Sequence, residues 1–468
     1  MASSPQSTPG STLDVSRFLQ ELPFSRYHFT ILILCSLVTF FDGQDFAALT
    51  YALPYLREDM ALDDTMTGYV SSAAFLGQMI GSLVGSYLGD MFGRRPVIIW
   101  CTLGSAVMTV LVGFAGSPEA LIVLRFVSGL AIGGLLAPVW SLSIESMPKS
   151  MRATSVTIIM MGFSFGGASS APIANWVAPV LGWQGIFWVC GAMTGVFALI
   201  LLFTLPESTR WMVAKGKPAS KIAPALARFS PKLDASAYTA FELSDERKTT
   251  TSANPIRKMR ELFVGAMLIV TPLIWAAYFF SSFAMYLKSS YGVIFMENLG
   301  MARTDAAWLG AASGILGAIG GVALLALTEK RGPGWIAFAP IVALPFTLLV
   351  GLGYVLGESW LFVPVLLIGA TLVGAGHAAV ISITSVYYPS AVRATGGGWA
   401  SFMAKFAAVA APNIGAAAGF LQGTQGAMDG YVFTAFCLAG IAVCILALAW
   451  FARGLRAAET PAIAQPAQ

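Results

Sequence analysis

The chain has 468 residues, of which 57% are hydrophobic and only 11% charged, with a formal net charge of +4 and 48 glycines. Soluble domains carry roughly 25% charged residues, so the composition excludes an ordinary soluble enzyme. The small positive balance gives no reason to propose a nucleic-acid partner, and the five cysteines, Cys35, Cys101, Cys190, Cys437 and Cys444, sit in apolar runs without paired spacing and predict free buried thiols.

A polar tail over residues 1–27 precedes an apolar run too long for a signal-peptide core, which predicts a retained helix able to cross ~30 Å of hydrocarbon. Spans are predicted over 28–52, 66–89, 97–115, 119–142, 155–179 and 185–205, making an N-terminal half of 28–205. Pro206 to Glu261, with eleven Lys/Arg against six Asp/Glu, reads as a cytoplasmic linker over 206–261. Six further spans follow over 262–287, 304–327, 334–356, 360–384, 396–420 and 431–452, a C-terminal half of 262–452, before a tail over 453–468. The predicted fold class is thus an all-α polytopic membrane protein, with twelve transmembrane helices in two six-helix pseudo-repeats around a central cavity. With both termini cytoplasmic, 22 of the 27 Lys and Arg lie inside, three lie outside (Arg57, Lys288, Arg303) and two lie within the membrane (Arg125, Lys405). That asymmetry is what retention of positive charge in the cytoplasm requires. No asparagine falls in a glycosylation sequon, which favours a bacterial plasma membrane.

The two halves share a signature: Pro148-Lys-Ser-Met-Arg152-Ala-Thr after span four and Pro389-Ser-Ala-Val-Arg393-Ala-Thr after span ten, offset by 241 residues at both the proline and the arginine. Parallel repeats of this kind build the central cavity of one large transporter class. Between spans two and three stands Asp90-Met-Phe-Gly93-Arg94-Arg95. Span four carries Arg125-x-x-x-Gly129-x-x-x-Gly133, and span six ends in Pro206-Glu207-Ser208-Thr-Arg210-Trp211. With these motifs the chain resembles the major facilitator superfamily. Asp42-Gly43-Gln44-Asp45 in span one, followed by Ala-Leu-x-Tyr-Ala-Leu-Pro54, and the later Tyr387-Tyr388-Pro389-x-x-x-Arg393 segment resemble the aromatic acid:proton symporters within it.

The chain also departs from that pattern. Met403-Ala404-Lys405-Phe406-Ala407 stands where relatives show Gly-x-Gly-Arg-x-Gly, and Lys288-Ser289-Ser290-Tyr291 replaces the usual Trp-x-Pro at the external end of span seven. Ser86 occupies the loop-two glycine position.

Asp42 and Asp45 are carboxyls three residues apart near mid-membrane, where a charge costs at least ~2.5 to 3.5 kcal/mol on insertion scales. Burial raises a carboxyl's pKa and a nearby cation lowers it, so such a group can load and unload protons. Alternatively, one aspartate caps a helix break near Gly43. Arg125 cannot shed its charge and needs a carboxylate; Asp45 is the expected protein partner, giving a proton-coupling set of Asp42, Asp45 and Arg125. Substrate contacts are expected from Arg125, Lys405, His377 and Tyr278, with a snorkelling Lys405 and a packing His377 as alternatives. Asp90, Gly93, Arg94, Arg95, Glu145, Arg152 and Arg393 form the expected gating set at the cytoplasmic ends.

The resemblance implies a monomeric symporter that imports a small organic acid, with an aromatic carboxylate favoured, together with protons by alternating access. Its partners are the acid, protons and the lipid bilayer, with no nucleic acid, and it uses no cofactor or metal. No phosphate loop, metal cluster or nucleophile–base arrangement points to an enzyme. A sugar or other metabolite:proton porter is the rival within the superfamily, and a non-transporting nutrient sensor a more distant one.

Overall fold

A computed structural model describes residues 12–459 apart from 231–232, 234–237, 239, 247–258, 358 and 389. Residues 1–11 and 460–468 of the expected tails, several stretches of the linker between 231 and 258, and Pro389 of the second repeat signature lie outside the described residues. Two compact units emerge. The first runs up to Ala48 and takes in Leu76–Ile173 and the chain from Val177 into the linker; the second holds Leu49–Phe75, Ala174–Trp176 and the C-terminal half.

In chain order the first unit begins with strand β1 (Thr12–Asp14), helix α1 (Val15–Glu21) and helix α2 (Arg26–Asp59), whose far part belongs to the second unit. Helices α3 (Asp64–Phe92), α4 (Arg94–Val112), α5 (Pro118–Gly133), α6 (Leu136–Ser146) and α7 (Arg152–Thr204) follow. The linker then adds α8 (Thr209–Ala214), α9 (Ala219–Ala227) and strand β2 (Ala240–Glu242). The second unit is built on α10 (Met267–Asn298), α11 (Arg303–Arg331), α12 (Phe338–Gly351), α13 (Ser359–Val380), the short α14 (Ile383–Tyr387), α15 (Ser390–Ala417) and α16 (Gly423–Glu459).

Among the described residues nine helical stretches are long and apolar enough to cross a membrane. One of them, Lys149–Thr204, contains Gly182 at φ 64 and ψ −172. Only glycine sits there readily, and the kink falls between the predicted spans 155–179 and 185–205. Dividing that stretch at Gly182 and adding α3 and α15, which have spanning length but more glycine and serine, gives the twelve expected segments. The protein is a polytopic all-α membrane protein.

Glycine also sets how the first unit packs. A Cβ on Gly43 of α2 would stand 2.0 Å from the Phe163 carbonyl oxygen of α7, and one on Gly166 would stand 1.7 Å from that of Phe40. The two backbones therefore touch at Gly43, and α2 runs through it unbroken, so the alternative of a helix break there does not hold.

The linker was expected to be hydrophilic connection, yet it carries a folded element. β1 pairs parallel with β2, Thr12 opposite Ala240. Asp14 caps α1 by accepting from the Ser16 and Arg17 amides at 3.0 and 3.3 Å. Val15 and Leu19 of α1 bury against Trp211, Met212, Ile222 and Leu226 of the linker helices, the apolar face that α1 alone could not hide.

Candidate functional site

Asp45 stands 14 residues before the end of α2, about 21 Å along a helix that rises 1.5 Å per residue. It is 1% exposed, and Arg125 of α5 is 3% exposed. Their closest approach is Nη1 to Oδ2 at 3.6 Å, an ion pair rather than a hydrogen bond. The Thr109 hydroxyl of α4 donates to the other carboxylate oxygen, Oδ1, and the guanidinium lies 6.0 Å from the Phe187 ring centroid. Three helices thus converge on one carboxylate. Asp42, 4% exposed, lies one turn earlier on α2, and Gln44 between them ties α2 to α7 through Ser169 at 3.2 Å and, from its carbonyl, Ser170 at 2.8 Å. The sequence pairs Arg125 with Asp45, as the structure places them. Thr109 was missed, because nothing in an apolar run marks which threonine faces a carboxylate on another helix.

In the second unit His377 of α13 meets the Ser281 hydroxyl of α10 through Nδ1 at 3.0 Å, with the Tyr286 ring 6.4 Å away. The Tyr278 hydroxyl donates to the Ile381 carbonyl and lies 3.3 Å from the Thr384 hydroxyl. It braces the break between α13 and α14, leaving only its ring for other contacts. Lys405 is half-buried on α15.

Lys288, counted among the external charges, stands ten residues before the end of α10, which continues to Asn298 rather than ending near 287. Its ammonium donates to the Ala370 carbonyl at 2.8 Å, and no carboxylate among the described residues forms an ion pair with it. The polar run Lys288-Ser289-Ser290-Tyr291 concealed the continuation; only packing shows that Tyr291 is fully buried and bonded to the Pro412 carbonyl at 2.8 Å.

Six of the seven expected gating residues lie in the first unit, and Arg393 in the second. Arg94 lies 3.0 Å from Asp90 and 2.9 Å from Glu145, and donates to the Gly89 carbonyl at 2.9 Å. Arg95 donates to the Leu205 and Leu202 carbonyls at 2.8 and 2.6 Å. Glu207, quoted above only as part of a motif, is the hub: it accepts from the amides of Arg94, Arg95 and Ser208 at 2.9, 3.2 and 2.8 Å. It therefore caps the start of α4. Gly93 makes room for it: φ is 113°, and a Cβ would stand 2.2 Å from Glu207 Oε2. Burial pushes the Glu207 carboxyl above its ordinary value, against the pull of those amides and Arg94. Ser208 donates to Glu145.

Arg152 does not join Glu145; it stands near Arg210 and Asp245. Arg393 is exposed and donates to the Tyr388 carbonyl at 3.2 Å, a local brace. Asp245, unmarked in the sequence reading, takes two bonds of 2.9 Å from Arg210 and one from Ser16. The Arg210 bonds hold its carboxyl below the usual carboxylate range.

The second unit has its own ionic cluster, where Arg303 reaches Glu58 at 2.6 Å and Glu297 at 3.0 Å and lies over the Tyr55 ring at 4.4 Å. Among the described residues no group of three or more His, Cys, Asp or Glu could hold a metal ion.

Residues 35–412 match the family model of the Major Facilitator Superfamily. The chain is 30% identical to a gallate transporter of Pseudomonas putida, across 97% of this chain and 98% of the relative. It is also 30% identical to the 4-hydroxybenzoate transporter PcaK of Acinetobacter baylyi, across 89% and 90%. The fold is similar to that of a bacterial homologue of the human lysosomal transporter Spinster, with a TM-score of 0.69 at 17% identity, over 95% of this chain and 100% of that one. At that identity the likeness concerns the fold alone.

Proposed function

We propose, since this chain belongs to the Major Facilitator Superfamily and is a membrane transporter rather than an enzyme, that it imports a small aromatic carboxylate with protons by alternating access. The observation that carries this reading is the near full-length similarity to transporters of hydroxylated benzoates. The buried Asp45–Arg125 pair supports the coupling. When Asp45 takes a proton, Arg125 and Thr109 lose their charged partner; when it releases the proton, the pair re-forms. Asp42, one turn away and equally deep, belongs to the same titrating set. The cluster of Asp90, Arg94, Glu145 and Glu207 holds the ends of the first unit's helices together and loosens as the protein changes state.

The setting is a bacterial inner membrane with both termini cytoplasmic, and the working form is a monomer. Uptake into reconstituted vesicles tests the reading with labelled 4-hydroxybenzoate, an aliphatic acid and a sugar, each with and without an acid-outside gradient. The aromatic acid is expected to accumulate only with the gradient. Preferential, gradient-driven uptake of the sugar would hand the assignment to the rival porter reading.

A further inference from the structure

The Asp45–Arg125 pair shows what a buried cation requires, and the second unit contains a half-buried cation without it. Lys288 lies ten residues, about 15 Å, from the end of α10, at a level pinned by the Thr50 hydroxyl of α2 donating to the Ser289 carbonyl at 2.6 Å. An ammonium has three N–H donors, and the Ala370 carbonyl takes one of them. The described carboxylates of the second unit are engaged or exposed near helix ends: Glu58 and Glu297 on Arg303, Asp64 on Arg57, Asp429 on Gln425, Asp59 and Asp63 exposed where α2 ends and α3 begins, and Glu261 exposed ahead of α10. Asp305 and Glu329 occupy the outermost turns of α11. A charge so placed is costly unless an anion joins it.

The residue as a whole is half-buried. It also lies on an organised seam. Ser281 and Lys288 are seven residues apart on α10 and share a face, as do Ala370 and His377 on α13. Ser281 meets His377 while Lys288 meets Ala370, so α10 and α13 run antiparallel along this line. Beside it stands the Tyr286 ring, 5.0 Å from the Phe75 ring and 6.4 Å from His377. The seam thus carries a cation at Lys288 and, beside His377, aromatic rings, which together suit a ligand that is itself a ring bearing a carboxylate.

We infer that Lys288 is the residue that holds the carboxylate of the carried acid, on the seam of α10 and α13, an inference that rests on the aromatic-acid reading above. The ammonium supplies the countercharge, and the acid completes the ammonium's hydrogen bonds.

The test measures uptake and binding of 4-hydroxybenzoate and of its uncharged amide by the wild type and by Lys288→Gln, Lys288→Met and Lys288→Arg. Truncating one partner of a desolvated charge pair is expected to raise the KM for the acid at least about 30-fold in the Gln and Met proteins, with the preference for acid over amide nearly lost. The Arg protein keeps that preference. The Met variant guards against misfolding, since it removes a lone buried charge and leaves an apolar chain of similar length. If the wild type carries the acid but Gln and Met proteins retain its KM and the acid-over-amide preference, the Lys288 assignment is overturned alone. A wild type that takes up no aromatic acid overturns the functional reading and this inference with it.

Discussion

The two units meet the cost of a buried cation in opposite ways. In the first, Arg125 is enclosed by the protein's own carboxylate: Asp45 lies 3.6 Å away and is held by Thr109 from a third helix. In the second, Lys288 has one backbone carbonyl and no carboxylate among the described residues. A charge compensated internally can be switched by a proton, because titrating Asp45 changes the partnership. A charge left uncompensated stays ready for an anion from outside. On the proposed reading coupling belongs to Asp45 and Arg125 and recognition to Lys288, where the sequence reading had assigned Arg125 to both.

The largest effect should come from making the first unit resemble the second. Asp45→Asn leaves Arg125 buried without a countercharge and is expected to cost about 3–5 kcal/mol of stability, together with gradient-driven accumulation. Thermal unfolding in detergent and vesicle uptake measure the two losses. Adding Arg125→Gln to Asp45→Asn should recover most of the stability while accumulation stays absent; a double variant no more stable than the single one would mean that the pair is not the source of the cost. Lys288→Met sharpens the same contrast, since removing an uncompensated charge should hold or raise the melting temperature.

Next in size is the helix contact that positions Asp42 and Asp45. Gly43→Ala would drive a methyl into the Phe163 carbonyl, 2.0 Å from the new Cβ. Separation of α2 and α7 is expected, at about 1–3 kcal/mol, and with it weaker coupling, read as a lower accumulation ratio at an unchanged gradient. Smaller again is Asp90→Ala. The Asp90 side chain is 72% exposed while Arg94 keeps Glu145 and the Gly89 carbonyl, so turnover should fall several-fold with KM unchanged. A rise in KM alone would argue that Asp90 has no part in gating.

The smallest effect concerns acid. The Arg210 bonds hold the Asp245 pKa below its ordinary value, so its contribution is fully present above that ordinary value and is lost only as pH falls through the lower folded-state value. Protease resistance of the segment from Thr12 to Glu21 should persist at mildly acid pH and fail only in strong acid. Asp245→Asn should weaken it already at neutral pH.

The number of spans, the repeat of Pro148 and Arg152 at Pro389 and Arg393, and the pairing of Arg125 with Asp45 were all legible in the amino-acid sequence. Each rests on a local rule: an apolar run of spanning length must form a helix, and a buried arginine must find a carboxylate. Packing alone determined the rest. Lys288 reads as the end of a helix until α10 is seen to continue past it, because a helix through polar residues is stable only when neighbours bury Tyr291 and accept its hydroxyl. The hub role of Glu207 depends on Gly93 leaving space from another part of the chain. The linker acquires structure only because α1 brings Val15 and Leu19 to its apolar face. Local sequence specifies which groups cannot be left alone in a membrane; only the tertiary structure brings together the distant residues that become their partners, or leaves one of them without a countercharge.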